Sequence, residues 1–257
     1  MARSKKYIDI YPTLVEEYKR GKSLSKIAKE FGVDRGTLSN NLKKDGIEVC
    51  NKQNRVRVKE DNFSVIDSEE KAYWLGFLYA DGYVSLGKNV IELSLQARDL
   101  EHIKKFHAFM ESENSIYYNK SNNSYRSAFA SEKTKNDLIK LGCFPQKSLK
   151  LSFPSEEQVP PKFIKDFTRG YIDGDGSIGL KKNGVYRLSI LGTREFLEVL
   201  VNKMDYRKLS ISKVGNIYCI EWAGAYTEGY LIELYQDATI YLNRKKQLLN
   251  AVLDRKA

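Results

Sequence analysis

At 257 residues and 42% hydrophobic content, the chain is long enough for one large folded domain, or a large and a small one. Its longest apolar run, Ala72 to Ala80, is too short to cross a bilayer, and no signal-type apolar core follows Met1. Cys50, Cys143 and Cys219 form neither a CxxC pair nor an even framework, so a soluble cytoplasmic (intracellular) protein is the expectation. The net charge of +10 is unevenly spread: residues 1–60 carry 15 Lys/Arg against 8 Asp/Glu, and the remainder 28 against 25. Concentrated positive charge of that kind suits a polyanionic partner.

Residues 8–20 have apolar spacing (Ile8, Tyr11, Leu14, Val15, Tyr18) suited to an amphipathic helix, broken at Gly21-Lys22. Ser23 reads as the N-cap of a second helix, Leu24 to Phe31, with Leu24, Ile27, Ala28 and Phe31 on one face. Gly32-Val33 turns the chain, Asp34 caps a third helix containing Leu38 and Leu42, and Gly46 stops it. A tight turn between two such helices resembles a helix-turn-helix, whose second helix enters the major groove. On its exposed face, Arg35, Thr37, Asn40 and Asn41 suit base edges and Lys44 suits phosphate. A generic three-helix packing unit is the alternative. This domain is assigned to residues 1–48 and a basic linker to 49–64, in which Arg55 and Arg57 suit a minor groove; a free basic tether is the other reading.

Beyond it the chain repeats itself at a spacing of 94. Tyr73-Trp74-Leu75-Gly76-Phe77-Leu78-Tyr79-Ala80-Asp81-Gly82 is matched by Phe167-Thr168-Arg169-Gly170-Tyr171-Ile172-Asp173-Gly174-Asp175-Gly176. Each copy closes a helix, the first with a capping box of Asp67 and Glu70, the second with Pro161 at its first position. A hairpin follows each copy: Tyr83–Leu86 with Val90–Gln96, and Ser177–Leu180 with Val185–Ile190 across Asn183-Gly184. Capped helices come next, from Asp99 and from Thr193. Second hairpins then pair Ile116–Lys120 with Tyr125–Ala130, and Leu209–Lys213 with Ile217–Trp222. Further helix closes each half, near Glu132–Leu141 and Tyr226–Leu253. The pattern predicts two pseudo-symmetric α+β halves, residues 65–155 and 156–257.

Gly76 and Ala80 share a helical face, as do Gly170 and Gly174, so the two helix backbones can approach closely. Asp81 and Asp175 then emerge side by side at the negative ends of their helices. That arrangement costs ~0.3–1 kcal/mol each and sets two like charges together. Such violations at equivalent positions point to a site rather than to two turns. Divalent cations relieve both penalties, and oxygen-only ligands suit magnesium. Metal between two carboxylates can activate water and stabilise the leaving oxygen of a phosphodiester.

The two decapeptides resemble the paired motifs of the LAGLIDADG homing endonucleases, in the single-chain form carrying both copies, over roughly residues 65–255. The resemblance implies an α+β fold of two pseudo-symmetric αββαββα halves whose paired β-saddles lie along the major groove, here preceded by a small all-α helix-turn-helix domain. It implies magnesium or manganese held by Asp81 and Asp175 and by the carbonyls of Ala80 and Gly174. It also implies a staggered cut in a long asymmetric double-stranded DNA target, leaving short 3′ overhangs, by a monomer. Motif one departs from the eponymous spelling at Trp74 and Tyr79, while motif two keeps Asp173.

Lys147 and Lys245 resemble the family's paired active-site lysines, with solvated surface lysines as the alternative. Gln96 suits positioning of a catalytic water or a strand-borne DNA contact. Saddle contacts are expected from Tyr83, Ser85, Glu92, Ser94 and Gln96, and from Ser177, Arg187 and Ser189; Lys88, Lys181 and Lys182 on the hairpin turns suit phosphate. His102 and His107 read as structural. A DNA-binding regulator with an inactive endonuclease fold, or an intron maturase, is the competing function; retention of both acids speaks against the first.

Overall fold

The computed structural model describes residues 5–20, 22–47, 49, 57–180, 184–204 and 209–256. Arg55, Lys181 and Lys182 lie outside them. The chain divides into two units, Met1–Val56 and Arg57–Ala257.

The first unit holds three helices. In α1 (Lys5–Lys19) the buried stripe is Tyr7, Tyr11, Leu14 and Tyr18, spaced four, three and four apart. Ile8 falls one position off that stripe and is exposed, contrary to the expected face. Helix α2 (Leu24–Phe31) begins at Ser23, whose hydroxyl accepts the Lys26 N–H at 3.3 Å. Helix α3 (Arg35–Lys44) begins at Asp34, which accepts the Thr37 N–H at 2.7 Å. It ends in a Schellman arrangement: Gly46 adopts φ +70 and donates to Lys43 O at 3.1 Å, while Ile47 N–H reaches Leu42 O at 2.9 Å. Leu14, Ile27, Leu38 and Leu42 close the core.

Arg35, Thr37, Asn40 and Lys44 are exposed, as expected. Asn41 is not. It sits three residues after Leu38 on the inward face, is 6% exposed, and donates to the Tyr7 hydroxyl at 3.1 Å.

The second unit begins earlier than the expected boundary at 65. Lys59 N–H donates to Met110 O at 2.8 Å, and Glu113 N–H to Arg57 O at 3.1 Å. A 3-10 turn, Glu60–Phe63, then buries Phe63 completely. Residues 57–64 therefore belong to the body rather than to a linker.

The first half runs α4 (Glu69–Asp81), β1 (Gly82–Val84), β2 (Val90–Gln96), α5 (Leu100–Phe109), β3 (Tyr117–Asn119), β4 (Ser124–Ala130) and α6 (Glu132–Lys140). The second runs α7 (Ile164–Asp175), β5 (Gly176–Leu180), β6 (Tyr186–Gly192), α8 (Arg194–Lys203), β7 (Ile211–Val214), β8 (Ile217–Ala223) and α9 (Ala225–Tyr235), followed by α10 (Asn243–Lys256). Each half is thus αββαββα, with an antiparallel sheet in the order β1-β2-β4-β3 or β5-β6-β8-β7. Alternation drives the sheets: Ile91 and Leu93 point into the core, and Ser94 and Gln96 point out.

Three local expectations are corrected. The N-cap of α4 is Ser68, which accepts the Lys71 N–H at 3.3 Å; Asp67 pairs instead with the Lys71 ammonium at 2.8 Å. Asp99 stands at the N-cap position of α5, but its side chain caps no helix N–H; both its oxygens accept from Arg244 Nε at 3.2 Å. The closing helix of the second half is broken over 236–242, where Glu69 accepts Thr239 N–H at 2.8 Å and Asp173 accepts Leu242 N–H at 2.7 Å. Pro161 opens a 3-10 turn leading into α7.

Helices α4 and α7 form the axis of the body. A Cβ built on Gly76 would lie 1.9 Å from Phe167 O, and one on Gly170 would lie 1.9 Å from Tyr73 O. These contacts are reciprocal, because 76 and 170, like 73 and 167, are 94 apart. Only glycine permits that approach. Behind the contact, Arg169 is 1% exposed yet fully paired, with Glu69 at 2.7 Å, Asp166 at 2.9 Å and the carbonyls of Ile240 and Leu234.

Candidate active site

Close packing of α4 on α7 brings their C-terminal ends together. A Cβ built on Gly174 would lie 2.3 Å from the Ala80 Cβ and 3.4 Å from Asp81 Oδ2. Asp81 and Asp175 are the last helical residues, so each carboxylate faces its own helix's negative end. Water reaches Asp81 freely and Asp175 partly, but the protein packed behind them disfavours their charge. Desolvation raises Asp81, opposed by Lys245, Lys147 and Arg244. Desolvation, and then the Asp81 charge, push Asp175 up to about 6. Two oxygen donors that repel one another across a helix junction suit a shared positive charge.

Lys147 and Lys245 both lie at this junction and both are buried, which removes the solvated-surface alternative. The Lys147 ammonium donates to Gly82 O. Lys245 donates to Gly176 O at 2.5 Å, Ile172 O at 2.5 Å and Asp173 O at 2.8 Å. Each lysine thus neutralises the carbonyl end of the helix bearing its half's aspartate. Burial lowers Lys245 to about 8, although Asp173, Asp81 and Asp175 all favour its charged form.

Sequence reasoning missed two residues here. Arg244, beside Lys245, acts on Asp81 and is anchored by Asp99; its adjacency to a candidate lysine was the available signal. The Tyr171 hydroxyl donates to Leu191 O at 2.8 Å and lies against Asp175, and its own ionisation is pushed up by burial and by that carboxylate. Phe77 stands at the matching place in the first half, so the two sites differ chemically.

On the outer face of the first sheet, Tyr83, Ser94 and Gln96 are exposed, and Lys88 lies exposed on the hairpin turn. Gln96 ends β2, one outward position beyond Ser94. Ser85 is buried, its hydroxyl accepting the Lys88 N–H at 3.2 Å, so it braces the turn instead of facing a ligand. Arg126, overlooked in the sequence, joins this face opposite Ser94; it pairs with Glu92 at 3.4 Å and lies 4.9 Å from the Tyr117 ring. On the second sheet Ser177 and Arg187 are exposed, Ser189 is half-buried, and Arg187 pairs with Glu221. His102 is buried and linked to the Tyr73 hydroxyl at 3.0 Å, with burial lowering it to about 3. His107 meets Ser127 Oγ at 3.0 Å. Both histidines are structural.

No protein-family model matches the chain, and no curated protein sequence does. Solved structures do. A lysine-to-alanine mutant of I-SmaMI covers 72% of this chain and 91% of its own at 13% identity, with a TM-score of 0.52. A double lysine mutant of I-SmaMI covers the same shares at 10% identity and 0.51. The meganuclease I-SmaMI bound to uncleavable DNA covers 70% of this chain and 88% of its own at 12% identity and 0.50. With its paired decapeptides at the crossing of α4 and α7 and a four-stranded sheet on each side, this chain has the fold of the single-chain LAGLIDADG homing endonucleases.

Proposed function

We propose that this protein is a site-specific, metal-dependent endonuclease that cuts both strands of a long asymmetric DNA target and leaves short 3′ overhangs. The observation that carries this reading is the adjacency of Asp81 and Asp175 at the ends of two helices that only glycine allows to touch. Both acids come from one chain, so a monomer suffices.

The donor set fits a hard divalent cation. Asp81, Asp175 and the carbonyls of Ala80 and Gly174 offer only oxygen, and among the described residues no group of three or more His, Cys, Asp or Glu converges. Magnesium takes one or two carboxylates with water and substrate phosphate, and manganese accepts the same oxygen set. When bound, such an ion polarises a phosphate oxygen and makes water acidic enough to attack. The buried ammonium groups of Lys147 and Lys245 set fixed positive charge beside the scissile phosphates, where it stabilises developing negative charge. Gln96 can hold a water or a base edge from the outer face of β2.

DNA lies along the two sheets in this reading, with Tyr83, Ser94, Gln96, Ser177, Arg187 and Ser189 as contacts and Lys88 on phosphate. The N-terminal unit acts as a helix-turn-helix: α3 enters a major groove and presents Arg35, Thr37, Asn40 and Lys44. Arg55 and Arg57 are proposed to reach into a minor groove, and Lys181 and Lys182 to contact phosphate. Among the described residues no helix is long and apolar enough to cross a membrane, and Cys143 and Cys219 are unpaired.

Purified protein incubated with a randomised duplex library and magnesium should cut a defined subset, read by sequencing the ends. Selective binding with no cut member would favour a DNA-binding regulator.

A further inference from the structure

The residue two places before each terminal aspartate faces the core behind the site. In the first half it is Tyr79, whose buried hydroxyl donates to Leu141 O. The chain turns immediately afterwards at Gly142, φ +89, where a Cβ would lie 2.1 Å from that hydroxyl oxygen. It then runs on to Lys147, whose ammonium returns to Gly82 O.

In the second half the equivalent residue is Asp173. Its buried carboxylate accepts Tyr235 OH at 2.5 Å, Tyr73 OH at 2.7 Å and Leu242 N–H at 2.7 Å. Leu242 O accepts Lys245 N–H at 3.0 Å, and the Lys245 ammonium comes back to Asp173 O and Gly176 O.

Both halves therefore close the same loop of contacts with different chemistry. A carbonyl at Leu141 meets a donor, and an amide at Leu242 meets an acceptor. A residue chosen only to fill space would need no such matching, and burying a carboxylate for that purpose would be costly. Lysine has among the largest side-chain entropies to lose on ordering, so fixing the backbone that carries it has a direct effect on where its ammonium sits.

We propose that Tyr79 and Asp173 are positioning residues, each clamping the segment that bears its half's lysine so that the ammonium stays at the aspartate end of the helix. The catalytic consequence rests on the endonuclease reading above; the clamp itself does not.

The test is site-resolved acetylation of lysines by acetic anhydride in the full chain without DNA or metal, read by mass spectrometry. Losing one buried hydrogen bond should raise Lys147 labelling about five- to tenfold in Tyr79→Phe, with Lys245 unchanged. Asp173→Leu should do the converse. Asp173→Asn, which keeps an oxygen for Leu242 N–H, should fall between wild type and Asp173→Leu. Asp173→Leu strands two tyrosine hydroxyls and can unfold the second half; Asp173→Asn then decides for Asp173, and Tyr79→Phe, which removes one oxygen from a buried ring, decides for Tyr79. On an end-labelled target, Tyr79→Phe should slow the same strand that Lys147→Met slows, and Asp173→Asn the strand slowed by Lys245→Met, with unchanged binding in calcium. Labelling that rises at both lysines together in Tyr79→Phe, or at neither, would overturn the proposal. A wild type that cuts no duplex would refute the endonuclease reading and leave the acetylation result standing.

Discussion

Replacing Asp175 with Asn should stabilise the metal-free protein at pH 7. Its carboxyl titrates near 6 in the folded chain, against an ordinary 3.8, through desolvation and the charge of Asp81. That gap corresponds to about 3 kcal/mol of penalty on the charged form. Asp175 is partly open to water, and screening should reduce the effect to roughly 1–2 kcal/mol. The sign follows from a folded value above the unfolded one. The favourable contribution is complete below about pH 3.8 and is lost as pH rises through about 6, so wild type alone bears the penalty at neutral pH. Thermal unfolding in EDTA should give a transition about 2–8 °C higher for Asp175→Asn than for wild type at pH 7. The difference should vanish near pH 4. Magnesium should raise the wild-type transition and leave the variant nearly unmoved. A variant equal to or less stable than wild type at pH 7 would refute the claim that desolvation and the Asp81 charge hold a penalty at this site for a cation to relieve.

Gly76→Ala and Gly170→Ala should each cost about 3 kcal/mol or more, because the new methyl meets backbone oxygen at 1.9 Å. Gly229→Ala in α9, where a Cβ would meet nothing within 4 Å beyond its own helical turn, should instead stabilise by about 0.5–1 kcal/mol; denaturant midpoints separate the two signs. Removing residues 1–56 should weaken DNA affinity, shorten the footprint on one side and flatten the dependence of log K on log salt by about 0.9 per lost phosphate contact. The cut position should not move, since both acids belong to the second unit, and a footprint unaltered by truncation would reassign the N-terminal helices to another partner.

The axis of the fold was legible because it depends on local pattern. Gly76 with Ala80 and Gly170 with Gly174 mark a close helix face, the 94-residue repeat marks its partner, and β2 is found at Val90–Gln96 as its alternation predicts. Ser23, Asp34 and Gly46 act at helix ends as their types suggest. What sequence could not reveal was pairing across distance. Asn41 looks like a reading residue until Tyr7, 34 positions earlier, takes its amide inward. Asp99 looks like a cap until Arg244, 145 positions later, claims both oxygens. Asp67 and Ser68 are adjacent and both able to cap; Lys71 draws the carboxylate away and leaves the hydroxyl to do it. The lysines were found through their resemblance to the family's active-site pair, but the carbonyls that hold them became visible only in three dimensions.

The most direct test of the account is cleavage of a selected target duplex by wild type, Asp81→Asn and Asp175→Asn, with each strand labelled separately. Wild type should cut both strands in magnesium and bind without cutting in calcium, which tolerates looser coordination. Each variant should bind in calcium within about threefold of wild type, because it removes a metal ligand and little contact area, yet make no double-strand break. Full cleavage of both strands by both variants would contradict the assignment of Asp81 and Asp175 as the cutting centre.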